Sequence, residues 1–576
     1  MKHLTKNSIG CIILALWVFY SSTPANAGQC TSCHLEETRF SSYHSPYVIG
    51  CEMCHGGNPA GDTKATAHLD MESYPGNLET VEKSCGQAQC HAELIPLVQN
   101  SIMNTVDGMI SVTRKIYKDP HTEPEIISLG HRLSQTGADS YLRKLCVSCH
   151  LGSKRKNHQQ SFKDRGGGCA ACHLQTYPTK KILGSDQETP DNDFTGSDKI
   201  HPTLTLKINN DRCLGCHSRS GRISLNYLGL AEVEKLDKSR IDAFGYLPDN
   251  RLVEQKAPDV HSEAGMACID CHTVNGLMGM GDRAKRQQDQ TDIKCEDCHA
   301  ANPQFESSDL LSPRETKYYG LYKQRLDIIH SEKNFTTIRK ETPLLHIRSQ
   351  KGERIMQSKV SGKQLPIPLV TTPLNHELPG HERLGCDSCH TGWAPQCYGC
   401  HVGFDPAETQ KDHLLGKKTK GRWKESRWYV RSELPALGVT GSNKIATFVP
   451  GMNLTIQKTP ESRSFDQLYF SSISAHTTQK KGRSCKSCHQ NSSALGIIEK
   501  WVSAPQNQHW KTPIGWIKEN SATPGKATQP GARSFNLQEI RKIRLVGQCL
   551  NCHAETDAIY PAFTNSLINI LPVCKK

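Results

Sequence analysis

Apolar residues along this chain come in short, interrupted runs, and long amphipathic stripes are scarce. One run is continuous: Ile9 to Tyr20, behind Lys2 and Lys6 and ahead of Ala25-Asn26-Ala27. A basic start, an apolar stretch too short for a stable membrane span and an A-x-A site predict a secretory signal peptide over 1–27. Cys11 lies at the front of that run, where a lipoprotein cleavage site makes little sense, so the expected mature chain starts at Gly28 as an exported protein. No other stretch approaches transmembrane length, and membrane association is expected only through a partner.

Farther on the pattern predicts short helices, for example over Ala92–Tyr117 and Ser224–Arg240, set among loops. Pro313 to His330 reads as a helix, with Tyr318, Leu321, Tyr322 and Leu326 on a rough i, i+3, i+4 stripe. From Trp428 the pattern turns to strands: Trp428–Val430, Leu437–Thr440, Ile445–Val449 and Leu454–Gln457, with Gly441-Ser442-Asn443 as a turn.

Composition changes this picture. Only 36% of residues are hydrophobic and 6% aromatic, against 44 Gly and 30 Pro. Such a chain is poor at burying its own core, and without a large apolar cofactor much of it is expected to be disordered.

The cysteines supply that cofactor. Of 26 cysteines, 24 fall into one pattern. Eleven motifs read C-x-x-C-H: Cys30/Cys33/His34, Cys51/Cys54/His55, Cys146/Cys149/His150, Cys169/Cys172/His173, Cys213/Cys216/His217, Cys268/Cys271/His272, Cys295/Cys298/His299, Cys386/Cys389/His390, Cys397/Cys400/His401, Cys485/Cys488/His489 and Cys549/Cys552/His553. The twelfth, Cys85/Cys90/His91, has four residues between its thiols, a spacing that resembles sites in some tetrahaem cytochromes. C-x-x-C-H is the attachment signature of c-type haem: two thiols meet the two vinyl groups and the histidine faces the iron. Zinc knuckles or disulfides leave the twelve motif histidines unexplained. The expected cofactor is therefore twelve covalent haems c. Cys574 stands outside the pattern and is read as a thiol without a role.

Each iron has a sixth position. Fourteen histidines remain in the mature chain for it, against nine Met after the signal. Seven precede a motif at short range: His44, His158, His201, His261, His376, His381 and His476. This recurrence marks them as candidate second ligands, for the next haem or for a neighbouring one. His346 and His413 are expected spares, and His509 carries no pattern. Cys386 and Cys397 begin motifs so close in sequence that their two haems are expected almost in contact.

Charge then takes another meaning. The net charge is +13, and losing Lys2 and Lys6 leaves +11. Twelve ferric bis-histidine haems, at about −1 each, bring the total near zero. Lysines and arginines thus read as counter-ions for propionates, not as a nucleic-acid surface.

On these motifs, on TGWAPQCYGCH around the paired site and on SAHTTQKKGRSCKSCH before Cys485, the chain resembles the large multihaem cytochromes of metal- and sulfur-respiring Gram-negative bacteria. The resemblance implies a periplasmic or outer-surface electron carrier rather than a catalyst. Its partners are then redox proteins, a quinol-oxidising donor and an outer-membrane porin or cytochrome. The rival is a respiratory reductase for nitrogen or sulfur oxyanions with one open iron, and the C-x-x-C-K that marks such an iron in pentahaem nitrite reductases is absent. The expected fold is mostly loops and short α-helices wrapped around a haem stack, with a small β-rich insertion in the C-terminal half. The expected divisions are 1–27 signal, 28–300 octahaem region, 301–385 haem-free helical or extended segment, 386–401 paired sites, 402–484 haem-free β-rich insertion and 485–576 a C-terminal region with two sites.

The cofactor load is measurable. Intact mass of protein matured in a periplasm should exceed the mature polypeptide by twelve additions of about 616 Da, roughly 7.4 kDa in all. Eleven additions mean that the Cys85/Cys90 site is unused; fewer than ten reject the reading.

Overall fold

The computed structural model describes residues 30–34, 40, 43–119, 133–134, 136–155, 165–175, 201–219, 223–303, 305–307, 320–321, 326, 328, 333–370, 378, 380–457, 465–504, 507–555 and 560. The expected signal peptide, Cys574 and most of the expected helix Pro313–His330 lie outside them. Among the described residues no helix is long and apolar enough to cross a membrane.

Most motifs are single helical turns. Cys30–Cys33, Glu52–His55, Cys169–His173, Asp211–His217, Cys268–Cys271, Cys295–His299, Cys386–His390 and Cys485–His489 are all helical. Closure is local: the histidine N–H donates to the carbonyl of the first cysteine, at 3.0 Å for His34 and His55 and 2.9 Å for His272 and His553. The longer motif closes the same way, His91 N–H to Cys85 O at 2.9 Å, around two extra residues. One motif is extended. Cys397 and Cys400 lie on successive strands, and Gly399 between them takes φ +69° with the Trp428 ring against the place a Cβ would occupy.

Helix α1 (Asp107–Tyr117) buries Ile110, Thr113, Ile116 and Tyr117 on one face. Beyond it the expected helix Ser224–Arg240 does not form as one element. The chain makes a helix at Ile223–Tyr227, a strand at Leu230–Glu232 and a 3₁₀ turn at Lys238–Ala243. Gly229 breaks the helix at φ +75°, pressed against the Lys256 carbonyl. The strand pairs with Leu252–Gln255 and buries Leu230 beside Leu214, Leu225 and Val253. Tertiary pairing overrides local propensity here.

The C-terminal half holds more sheet than expected. A five-stranded sheet contains β1 (Cys400–Asp412), β2 (Lys417–Ser426), β3 (Ala436–Val439), β4 (Ile445–Gln457) and β5 (Phe465–Ser472). Thirteen-residue β4 takes β3 antiparallel along its first half and β1 parallel along its last residues, and β5 runs antiparallel beside it. The expected strands Ile445–Val449 and Leu454–Gln457 are therefore one strand. The β1–β2 hairpin was hidden by its charges, Lys411, Lys417, Lys418, Lys420 and Lys424, which hold the solvent face while Trp423 packs on Phe404. Residues expected to be haem-free and helical or extended form small sheets: Phe305–Ser307 with Lys333–Thr336 and Pro343–Leu344, and Ile347–Gln350 with Glu353–Gln357 and Gln364–Pro366.

A conventional core underlies this half. Tyr398, Leu437, Phe448, Phe470, Trp516 and Phe535 pack together, all nearly sealed from solvent. Fully burying each large apolar side chain contributes about 1.5–3 kcal/mol, so this half has a core of its own. The architecture is mixed: short helices and small sheets, with the larger sheet at the C-terminal side.

Helix α2 (Leu537–Cys549) carries the last motif at its end. Asn536 accepts from the Glu539 N–H at 2.9 Å, and Glu539 accepts from the Asn536 N–H at 2.9 Å, a reciprocal cap. Burial works against the Glu539 carboxylate. Arg533 at 2.7 Å, the Asn536 N–H and Arg383 at 2.9 Å outweigh it and hold the group at about 2. Its folded value lies below its unfolded one, so its stabilisation is full above about pH 4.5 and fades as pH falls toward 2. Glu539→Gln should lower the thermal midpoint at pH 7 by about 2 °C, and the gap from wild type should shrink across that acid window. An equal gap at pH 7 and pH 2.5 contradicts the assignment.

Candidate haem-attachment and ligand sites

None of the twenty-four motif cysteines is tied up in a disulfide. Burial dominates the chemistry of many, pushing Cys51 and Cys54 up to about 11 and Cys146, Cys172 and Cys298 up to about 12. Three go the other way, Cys386 among them through a hydrogen bond from the Cys295 thiol. A hydrogen bond from the Cys169 thiol draws Cys85 down to about 7, and one from Cys216 draws Cys149 down to about 6. Thiols of different motifs therefore touch.

Three second thiols stand in contrasting surroundings. Cys90 is half-buried in a turn, its N–H on Gln87 O at 2.9 Å, because the two extra residues of its motif prevent a regular helical turn. It lies near Cys54 and helps to raise that thiol. Cys488 is helical, but it packs against the aromatic core of the C-terminal half, and it helps to raise Cys389. Cys552 is exposed: α2 stops at Cys549, and the chain turns there with the Cys552 N–H on Cys549 O at 3.0 Å. An attachment thiol can thus stand on a turn, on a core or at the surface, so motif spacing does not fix its surroundings.

Six motif histidines share one device. The Nδ1–H donates to a backbone carbonyl in His55 (Glu72, 2.8 Å), His150 (Val147, 2.6 Å), His173 (Thr205, 3.1 Å), His299 (Pro368, 2.7 Å), His390 (Gln479, 2.9 Å) and His489 (Ile543, 2.8 Å). A carbonyl only accepts, so the proton sits on Nδ1 and the Nε2 lone pair is left for a metal. Two candidate second ligands repeat it: His261 donates to the Asp259 carboxylate and His476 to Ser474 O, at 2.8 and 2.9 Å. His346 does the opposite. It is sealed from solvent and spends Nε2 on the Asp270 carbonyl at 2.8 Å, which leaves it a bracing role.

Imidazoles also come in pairs. A ligating nitrogen lies about 2 Å from its metal and about 1.2 Å from its ring centroid, so two rings flanking one metal stand roughly 6.4 Å apart. The structure sets His34 6.2 Å from His68, His44 6.5 Å from His91 and His55 6.0 Å from His201. It also sets His261 6.0 Å from His299, His272 6.2 Å from His476 and His381 5.9 Å from His489. Each pair joins one motif histidine to one of the spare set. Burial, then the neighbouring His476 and His217, lowers His272 to about 4, keeping it in the neutral form that binds metal.

Five of the seven upstream histidines thus lie beside a motif histidine, and none beside that of the motif it precedes. His158 and His376 lie outside the described residues. His68 was missed because the next motif starts seventeen residues later, at Cys85. The Cys386 and Cys397 motifs have different neighbours: Cys386 meets Cys295, and Cys400 packs with Tyr117, Tyr141 and Trp423, a cluster that Cys146 also borders. The first is a helical turn, whereas Cys397 lies on a strand that starts soon after it.

Cations border the motifs. Arg165 donates to Ser148 and Arg354 to the carbonyls of Cys298 and Ala300. The buried Nε of Arg165, of Arg354 and of Arg483 have no hydrogen-bond partner within the polypeptide. Orphaned guanidinium N–H groups next to attachment motifs fit the anionic propionates of a haem. Thiols, paired imidazoles and these cations together suit the group.

One comparison bears on this set. Residues 237–300, which hold His261 and the motifs of Cys268 and Cys295, match the family model described as Cytochrome c554 and c-prime. The chain is a c-type cytochrome. It binds covalent haem c and transfers electrons. No curated protein and no solved structure matches the cytochrome significantly.

The two kinds of histidine separate by mutation. In the cytochrome, His476→Ala should raise a high-spin signal equal to one haem without changing the haem count. His346→Ala should leave the spin state alone and cost about 1–3 kcal/mol of stability through the bare Asp270 carbonyl. A high-spin signal from the His346 variant contradicts the division.

Proposed function

We propose that this cytochrome is a twelve-haem, bis-histidine electron carrier of the periplasm or outer surface, passing electrons between redox-protein partners in anaerobic or extracellular respiration. The observation that carries the reading is the set of imidazole pairs standing one metal apart, two with Nδ1 tied on both sides or on the second-ligand side. The haem group supplies a one-electron couple, tuned by its ligands and surroundings.

Attachment at the motifs outside residues 237–300 is part of this proposal, and Cys90, Cys488 and Cys552 are its most demanding members. Motif spacing supports all three. For Cys90 and Cys488 so do the histidines that follow them, since His91 stands by His44, and His489 by His381 with its Nδ1 tied to Ile543 O.

The chain's residues do the rest. Motif turns fix the thiols, Nδ1 hydrogen bonds fix ring orientation, and two rigid ligands keep an iron low-spin with little rearrangement on each transfer. Buried arginines offset the propionates. The apolar run at Ile9–Tyr20 with its A-x-A site supports export, and the lack of a long apolar helix among the described residues supports docking to a partner rather than spanning a bilayer.

A reductase must offer substrate an exchangeable iron position; a carrier need not. Electron paramagnetic resonance of the oxidised protein should show low-spin haem only, and carbon monoxide should not bind the reduced protein stoichiometrically. A high-spin component near one-twelfth of total haem, with one carbon monoxide bound per chain, rejects the carrier and favours the respiratory reductase.

A further inference from the structure

Contacts between motifs define an order that the sequence does not. At the N-terminal side the Cys30 and Cys51 side chains are in hydrogen-bond contact, and His68, which follows the second motif, stands by His34 of the first. Gln87 of the third motif donates to Met53 O of the second at 2.9 Å. The third then skips the fourth. The Cys85 and Cys169 side chains are in hydrogen-bond contact, and the Cys169 N–H donates to Gly76 O, in the segment before Cys85, at 3.0 Å.

The file continues through packed turns. The helix at Cys169–His173 packs on the one at Asp211–His217. The Cys268 N–H donates to Asn210, at the start of that second helix, at 2.8 Å. Cys271 and Cys298 border one apolar cluster around Met266 and Phe335. The Cys295 and Cys386 thiols lie within 4.8 Å of each other and of the Glu296 carboxylate. Arg483, two residues before Cys485, donates its N–H to Cys389 O at 2.9 Å. The helix at Cys485–His489 packs on α2, where Gln490 reaches Gly547 O at 2.6 Å.

Two motifs remain, and they adjoin one point of the file. The Cys216 thiol donates to Cys149 O at 3.4 Å. On the far side of that fourth motif, Cys146 borders the Tyr117, Tyr141 and Trp423 cluster that contains Cys400. Glu425 receives the Cys400 thiol at 3.3 Å. The β1–β2 hairpin clamps the two together: Arg143, just before the fourth motif, pairs with buried Asp412 at 2.9 Å.

We infer that ten haem sites form a single file, Cys30, Cys51, Cys85, Cys169, Cys213, Cys268, Cys295, Cys386, Cys485 and Cys549, and that the Cys146 and Cys397 sites form a side arm branching at the Cys213 site. The inference deepens the carrier reading and rests on it. Cysteines in contact hold their porphyrin edges side by side, so motif contacts are haem contacts. The molecule then has three ends rather than two: the Cys30 and Cys549 sites, and the Cys397 site on the sheet. A three-ended carrier accepts electrons from one partner class and distributes them to two, or buffers a side acceptor off a main line.

Cryo-electron microscopy of the wild-type holoprotein, locating all irons against the traced motifs, tests this directly. The expected map has the iron of the Cys397 site nearest that of the Cys146 site, and the latter next to the iron of the Cys213 site. The inference is overturned by an unbranched line of twelve, or by the Cys386 iron as nearest neighbour of the Cys397 iron. In either case twelve filled sites leave the carrier reading standing. An empty Cys146, Cys213 or Cys397 site overturns the arm and the twelve-haem reading together.

Discussion

An imidazole offers a metal only the nitrogen that nothing else holds, and this molecule depends on that constraint. Where Nδ1–H donates to a carbonyl or carboxylate, as in His55, His299, His489, His261 and His476, the ring is both oriented and left with its Nε2 lone pair outward. His261 and His476 use acceptors two residues away, but several motif histidines draw theirs from distant stretches of chain: Pro368 for His299, Gln479 for His390, Ile543 for His489. Around those rings a folded polypeptide must be assembled. The small sheets and loops that supply these carbonyls are the means of assembly.

The same constraint sets what was legible in the sequence. Attachment motifs are local: two thiols and a histidine within one turn, closed by the histidine's own N–H, so spacing alone displays them. Their surroundings are not local. Cys488 meets an aromatic core and Cys552 meets solvent, though their motifs read alike. Second ligands are not local either. His261 precedes Cys268 yet faces His299, and His381 precedes Cys386 yet faces His489. An upstream position reveals that a histidine is one of the set but not which iron it adjoins, because the pairing is made between turns stacked in space. His68, which no motif follows closely, had no sequence signal at all.

The fold was legible in the same uneven way. Strands at Leu437–Thr440 and Ile445–Val449 show themselves because apolar residues dominate both faces, as burial between β-layers and the Phe448–Trp516 core requires. The β1–β2 hairpin hides: its solvent face is lysine, and its inward apolar positions, Val402, Phe404 and Trp423, are too few to stand out as a strand. Ser224–Arg240 misled for the opposite reason. Its local pattern allows a helix, but Gly229 and pairing with Leu252–Gln255 divide it. Low apolar content suggested a chain with no core of its own, and that reasoning averaged over two unlike halves.

These two halves explain each other. One-turn motifs bury little by themselves, and the helices between them are held by ion pairs such as Arg114–Asp139, both almost fully buried and 2.9 Å apart. Breaking such a pair typically costs about 3–5 kcal/mol because the remaining charge is stranded, so this half is specific in geometry but depends on every partner. The C-terminal sheet has its own aromatic core and needs less help. By carrying Cys400 on β1 and Asp412 at that strand's far end, it brings one attachment site and one counter-charge to the turn at Arg143–Cys146, more than two hundred residues earlier in the chain. A site mounted on a strand is aimed by the sheet's register rather than by the turn of its own motif. That is how a motif starting only eleven residues after Cys386 comes to face the fourth motif instead of the ninth.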